Sequence, residues 1–198
     1  MKEQVQTNPA AGSEMAAKKT QHQKIVAMVQ IALFAAIIAV CSWIQIPMTV
    51  PFTMQTFAVF CALATLGGKG GTISVLIYIV LGAVGVPVFA GFTGGVGILF
   101  GTTGGYIIGF LPMAVIAGLV IDHTHSRILQ LLGMVLGTAV CYALGTAWFC
   151  FSTNTGVMAA LWMCVIPFIA GDLVKMALAM TMGPMIRGRL EKAGLLQI

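Results

Sequence analysis

Residues 167–180 read PFIAGDLVKMALAM, a segment apolar enough to lie in a bilayer yet carrying Asp172 and Lys175. An ionised side chain at the centre of a membrane helix costs roughly 2.5–3.5 kcal/mol on insertion scales, so two of them demand a use. The i, i+3 spacing puts both on one face of a helix, where they either neutralise each other or grip a polar ligand. A purely structural ion pair is the competing reading. For charges at this depth, function is the default.

The rest of the chain is written for the same solvent. Of 198 residues, 59% are apolar and 8% charged, where a soluble domain carries about 25% charged residues. Mean hydropathy is strongly positive. This is an all-α integral membrane protein, and at about 20 residues per span the chain holds at most about six or seven helices. One helical bundle is expected, without a second soluble domain.

Residues 1–24 are polar, rich in Ala, Gln and Lys, and lack the apolar core of a signal peptide, so they read as a disordered cytoplasmic tail. A six-helix transmembrane domain follows over 25–185. Helix 1 is placed at about 25–46, and Pro47 and Pro51 in PMTVPFTMQT deny the next stretch a continuous helix. Helices 2 and 3, about 55–67 and 72–88, are separated by GGKGG at 67–71. Residues 89–105, FAGFTGGVGILFGTTGG, are too glycine-rich for regular helix and read as a structured outer loop. Helices 4, 5 and 6 fall at about 106–121, 128–150 and 157–183, and a basic cytoplasmic C-terminal tail occupies 186–198.

Six spans place both termini on one side. Lys2, Lys18, Lys19, Lys24, Lys69, Arg127, Arg187, Arg189 and Lys192 share that side, and the opposite loops hold no Lys or Arg. By the positive-inside rule both termini are cytoplasmic. The net charge of +5 is then explained by orientation and anionic lipid, so nucleic-acid binding is not inferred. The double-proline loop, the glycine-rich loop and the start of helix 6 gather on the outer side, as do Trp43, Trp148 and Trp162. The tryptophans alone read as an interfacial belt. Together these features suggest a small polar or amphipathic ligand reached from outside, held by one carboxylate and one ammonium and lined with aromatics.

Three runs then carry a resemblance: VPFTMQT at 50–56, GVPVFAGFTGGVGILFGTTGGYIIGF at 85–110 and PFIAGDLVKMALA at 167–179. Together, spanning about 27–183, they resemble the BioY family, the biotin-specific S components of energy-coupling factor transporters. The resemblance implies a six-helix bundle that binds biotin near its outer face and works in biotin uptake at the cell membrane. It implies a transmembrane coupling protein and two cytoplasmic ATPases as partners, and a toppling motion that releases substrate inside.

The resemblance also assigns Asp172 and Lys175 to the substrate pocket. Biotin's ureido ring offers two N–H donors and one acceptor oxygen, so a carboxylate can accept from the ring while an ammonium donates to an oxygen. Thr53 and Gln55, with Phe89, Gly91, Phe92, Gly94 and Gly95, are implied as lid and apolar wall, and Tyr106, in the second run, is placed with the substrate-binding residues. The run Gly97, Ile98, Leu99 supplies no amide or basic side chain where some members have one, and Thr102 stands where the family commonly has proline. Ala32 with Ala36, and Ala35 with Ala39, form small-xxx-small patterns on helix 1 that resemble the docking face for the coupling protein. Packing inside the bundle is the alternative reading of those alanines. Gly133, Gly137 and Gly145 read as internal contacts.

Other signals point away from catalysis. GGKGGT at 67–72 lacks the ending and preceding strand of a P-loop, so ATP hydrolysis belongs to other chains, and GVGILFG is off the dinucleotide spacing. His123 and His125 lie in a short polar turn and read as solvated, with no metal assigned. Five scattered cysteines read as free thiols. An intramembrane enzyme lacks a candidate nucleophile, and a channel would need a ring of polar residues. An S component for another vitamin is the remaining alternative. No cofactor is expected; the ligand that the resemblance implies is biotin.

Overall fold

Runs of apolar residues long enough to cross a bilayer must satisfy their own backbone groups, and this chain does so as helices. The computed structural model describes residues 9–124 and 126–195, with side chains from residue 21 onward. In chain order the elements are α1 (Pro9–Trp43), β1 (Gln45–Ile46), β2 (Phe52–Thr53), α2 (Gln55–Ala83), α3 (Val96–Leu99), α4 (Gly104–His123), α5 (Arg127–Thr153), α6 (Val157–Cys164) and α7 (Ile166–Lys192). Five helices are long and apolar enough to span a membrane: α1 over Gln21–Trp43, and α2, α4, α5 and α7. The chain is a multi-pass membrane protein.

One of the five is a doubled element. Within α2, Gly67 takes φ 78° and ψ 176°, which breaks the helix at the glycine cluster expected to part helices 2 and 3. A methyl group on Gly71 would lie 2.8 Å from Cα of Leu63, whereas eight residues of unbroken helix rise about 12 Å. The two halves therefore lie side by side. Asp122 at the end of α4 accepts a 2.7 Å hydrogen bond from the Gly68 N–H, satisfying a donor that the start of the second half leaves without an intrahelical partner.

The helix ends differ from the sequence reading. Helix α1 starts at Pro9, so residues 9–24, expected as disordered tail, are helical; residues 1–8 lie outside the described residues. Ala, Lys and Gln are strong helix formers, and extending an existing helix needs only propagation. Likewise α7 runs to Lys192 through most of the expected C-terminal tail. Arg187 Nε reaches Glu191 Oε1 at 3.1 Å, and Arg189 and Lys192 complement the helix dipole. The single helix expected over 157–183 is two, because Val165 at φ −128° separates α6 from α7 and Pro167 sits in the first turn of α7.

The loop between α1 and α2 contains a miniature antiparallel pairing, Gln45 opposite Thr53 and Ile46 opposite Phe52, which an all-α reading omits. Strands this short arise because Pro47 and Pro51 hold the chain extended between them. The glycine-rich loop is shaped by positive φ at Gly91, Phe92 and Gly95, bridges Phe89 to Thr93, and makes one helical turn, α3.

Close packing rests on small residues. A methyl group on Gly105 would fall 2.3 Å from Cβ of Trp148, on Gly137 2.7 Å from the Met113 carbonyl oxygen, and on Gly133 2.7 Å from Cβ of Val120. These glycines bring α4 and α5 together, as small residues do in lipid, where no hydrophobic force draws helices together. Gly133, Gly137 and Gly145 are thus internal contacts, as their spacing suggested. Ile38, Phe60, Leu63, Val75, Met113 and Met134 form the dry core, while Leu33, Val40, Leu119, Leu136 and Leu178 point outward. The five cysteines are free thiols.

Candidate binding cavity

Helix α7 buries Phe168, Asp172, Lys175, Met176 and Ala179, a stripe at i, i+4, i+7, i+8 and i+11 that brings both charges inside. Asp172 is 4% and Lys175 5% exposed. The Lys175 ammonium donates to Asp172 Oδ1 at 2.9 Å, to the Thr53 carbonyl at 2.7 Å and to Thr56 Oγ1 at 3.2 Å. Its remaining side is covered by the Phe52 ring, whose centroid is 3.7 Å from Nζ. Thr56 in turn donates to Asp172 Oδ1 at 2.9 Å, and Tyr142 donates to Oδ2. All three ammonium donors are therefore spent on protein, while the carboxylate keeps capacity to accept more.

The pair opens on a cavity of about 170 Å³ lined by α2, α4, α5, α7 and the loops that connect α1 to α2 and α2 to α4. Six of the ten expected substrate-site residues line it: Thr53, Gln55, Phe89, Tyr106, Asp172 and Lys175. Tyr106 is held by Thr146 at 3.0 Å. The other four lie elsewhere. Phe92 is 65% exposed and stacks on Trp43 with centroids 4.7 Å apart. Gly91 faces Gln45, a methyl group on Gly94 would fall 2.4 Å from the Val86 carbonyl oxygen, and the Gly95 N–H donates to the Gly82 carbonyl at 2.7 Å. These glycines shape the loop that carries Phe89; they are not its lining. Ile98 lines the cavity, as does Thr103 in place of its neighbour Thr102.

Sequence reading missed Phe52, Thr56, Tyr78, Tyr142 and Phe168. Phe52 and Thr56 stand inside the VPFTMQT run and Phe168 one turn before Asp172, so adjacency was a usable signal for them. Tyr78 and Tyr142 had none beyond being tyrosines in apolar helices. The Tyr78 hydroxyl, buried at this site, lies within hydrogen-bond reach of the Ser42 and Gln55 side chains.

Two of the tryptophans hold loops. Trp43 Nε1 donates to the Pro87 carbonyl at 3.1 Å and Trp148 Nε1 to that of Gly101 at 2.9 Å, while Trp162 is 63% exposed. On α1 the two alanine patterns part company. Ala35 and Ala39 are buried, which corrects their expected place on a partner-facing surface, and Ala32 and Ala36 are exposed. The reason is angular: a three-residue offset turns the second pattern some 60° around the helix, away from the α2 contact. His123 is exposed, with Nδ1 2.8 Å from the Leu119 carbonyl; His125 lies outside the described residues. Among the described residues no cluster of His, Cys, Asp or Glu is placed to hold a metal.

Residues 14–192 match the BioY family. The chain is 40% identical over 153 residues to a biotin transporter BioY of Thermotoga maritima, covering 77% of this chain and 90% of that one. It is 40% identical over 159 residues to a probable biotin transporter BioY of Pyrococcus horikoshii, covering 80% and 94%. Its fold superposes on the crystal structure of the S-component for biotin from an ECF-type ABC transporter with a TM-score of 0.75 and 29% identity, covering 86% of this chain and 93% of that one.

Proposed function

The chain belongs to the BioY family, and from that premise we propose that it is the biotin-binding S component of an ECF-type transporter, taking biotin from the outer face. The observation that carries this reading is the Asp172–Lys175 pair, buried in a bilayer-spanning helix and lining a cavity walled mostly by apolar side chains. Asp172, already fixed by Thr56, Tyr142 and Lys175, accepts a ureido N–H. Because its partners hold the carboxylate in place before ligand arrives, little side-chain entropy is lost on binding. Phe52, Phe89 and Phe168 supply apolar walls for the bicyclic ring.

The two halves of α2 count as separate crossings in this reading, which makes six spans with both termini cytoplasmic, 25–185 the binding domain, and the basic ends facing anionic lipid. Energy comes from a transmembrane coupling protein and two cytoplasmic ATPases, since this chain has no phosphate-binding loop of its own. Ala32 and Ala36, small and exposed on α1, support a close helix contact with the coupling protein.

Calorimetric titration of ligand-free protein in detergent tests the assignment, with thiamine and riboflavin as controls. Stoichiometric heat for biotin alone is expected. A folded, ligand-free sample that gives no heat with biotin refutes it.

A further inference from the structure

A second hollow lies back to back with the binding cavity. It is a groove of about 200 Å³ between α5 and α7, walled by Val135 and Ala139 on one side and by Ile169 and Leu173 on the other. Its floor is Thr138, Tyr142 and Asp172, three residues that also line the binding cavity. The Tyr142 hydroxyl donates to Asp172 Oδ2, so this bonded pair is part of the partition between the two spaces.

The chemistry of the groove selects its occupant. Residues 135–142 are the middle of α5, a helix long and apolar enough to cross a bilayer, and Val135, Ala139, Ile169 and Leu173 are all exposed on the surface of the bundle. The groove therefore opens on hydrocarbon, at a depth that water and head groups do not reach. Its floor has no hydroxyl donor to spare, because Thr138 donates to the Met134 carbonyl at 2.8 Å and Tyr142 to Asp172. An apolar space of this kind stays dry, and left empty it forfeits the contacts of its lining. A second helix is kept off by the rim, where Val135, Ile169 and Leu173 stand in place of the small residues that close helix approach needs. A methylene chain is narrow and flexible enough to enter, and at this depth it is the solvent.

We propose that the α5–α7 groove binds one acyl chain of a membrane lipid, which packs behind Tyr142 and completes the wall of the binding cavity. The chain fills the space into which the Tyr142 ring would otherwise move, and so keeps its hydroxyl on Asp172. The chain site stands on the groove itself; its effect on biotin rests on the functional reading above.

The test has two readouts on the whole protein. In nanodiscs of phosphatidylcholine carrying a diazirine at mid-chain, photolabelling mapped by mass spectrometry should be several-fold denser at Leu173 than at Leu33, a leucine similarly exposed on α1. Biotin affinity is then measured by calorimetry in dodecyl maltoside, whose straight chain enters the groove, and in a bile-acid detergent, whose rigid steroid does not. Wild type should bind about fivefold more weakly in the second, the factor that a void of about one methyl group makes. Ala139→Phe, which fills the groove with its own ring, should lose the excess label at Leu173 and bind biotin equally in both detergents, its melting temperature showing that it is folded. Label at Leu173 no denser than at Leu33 overturns the chain site. Equal wild-type affinity in the two detergents, or a difference that persists in folded Ala139→Phe, overturns its support of the cavity wall. Failure of the wild type to bind biotin in either detergent refutes the functional reading, while the labelling still decides the chain site.

Discussion

Replacing Asp172 by Asn tests the charge pair directly. The swap preserves shape and most hydrogen bonds, because the amide oxygen can still accept from Lys175 and Thr56, so what is lost is charge. At the observed 2.9 Å and an effective dielectric of about 20, the attraction between unit charges is about 6 kcal/mol. Relaxation recovers part of this, and removing one partner of a buried pair typically costs about 3–5 kcal/mol because the survivor is left uncompensated. Lys175, 5% exposed, is that survivor. Thermal unfolding of empty protein in detergent should therefore show a large drop for Asp172→Asn, and restoration of most of it in Asp172→Asn with Lys175→Met, since an apolar replacement of both charges is close to neutral. Biotin binding should remain lost in the restored double variant, because the acceptor for the ring N–H is still gone. A single variant as stable as wild type would refute the energetic reasoning. A stable double variant that binds biotin normally would show the pair to be structural only.

Three further expectations follow from the packing. Gly145→Ala should cost about 1–3 kcal/mol, as overpacking does, because the new methyl group would fall 2.2 Å from the Tyr106 ring; displaced Tyr106 should also weaken biotin binding, read by the same titration. Gly67→Ala and Asp122→Ala should each destabilise by about 1 kcal/mol in denaturant unfolding, the first by forcing a side chain into φ 78° and the second by removing the cap on Gly68, with biotin affinity unchanged in what folds. On α1, Ala36→Leu should leave biotin binding by the isolated protein intact and reduce transport in cells supplying the coupling protein and ATPases, whereas Ala35→Leu should lower the melting temperature of the isolated chain; the reverse pattern would refute Ala36 as partner-facing.

Composition and hydropathy were enough to settle that this chain is a membrane-embedded helical protein, because the cost of an unpaired backbone group in hydrocarbon leaves few other structures open. The pair at 172 and 175 announced itself for a similar reason: charge is so expensive in lipid that its presence within an apolar run marks the place where it is used. The glycines also spoke, since a cluster such as GGKGG has little purpose in a straight helix, and the break duly falls at Gly67.

What the tertiary structure alone decided is which side chains share a space. Phe92, three residues after Phe89 and next to its bridge partner Thr93, turns out to Trp43 while Phe89 turns in to the cavity, because positive φ at Gly91 and Phe92 redirects the chain between them. Ala35 and Ala36 are neighbours in sequence and about 100° apart around the helix, so one packs inside and the other faces out. Tyr78 and Tyr142, carried on different helices, meet the site only because glycines at 67, 137 and 145 let those helices fold back and close up. A local pattern records what each residue is suited to, but long-range contact depends on helix rotation and approach, and those are set by every other residue in the interface.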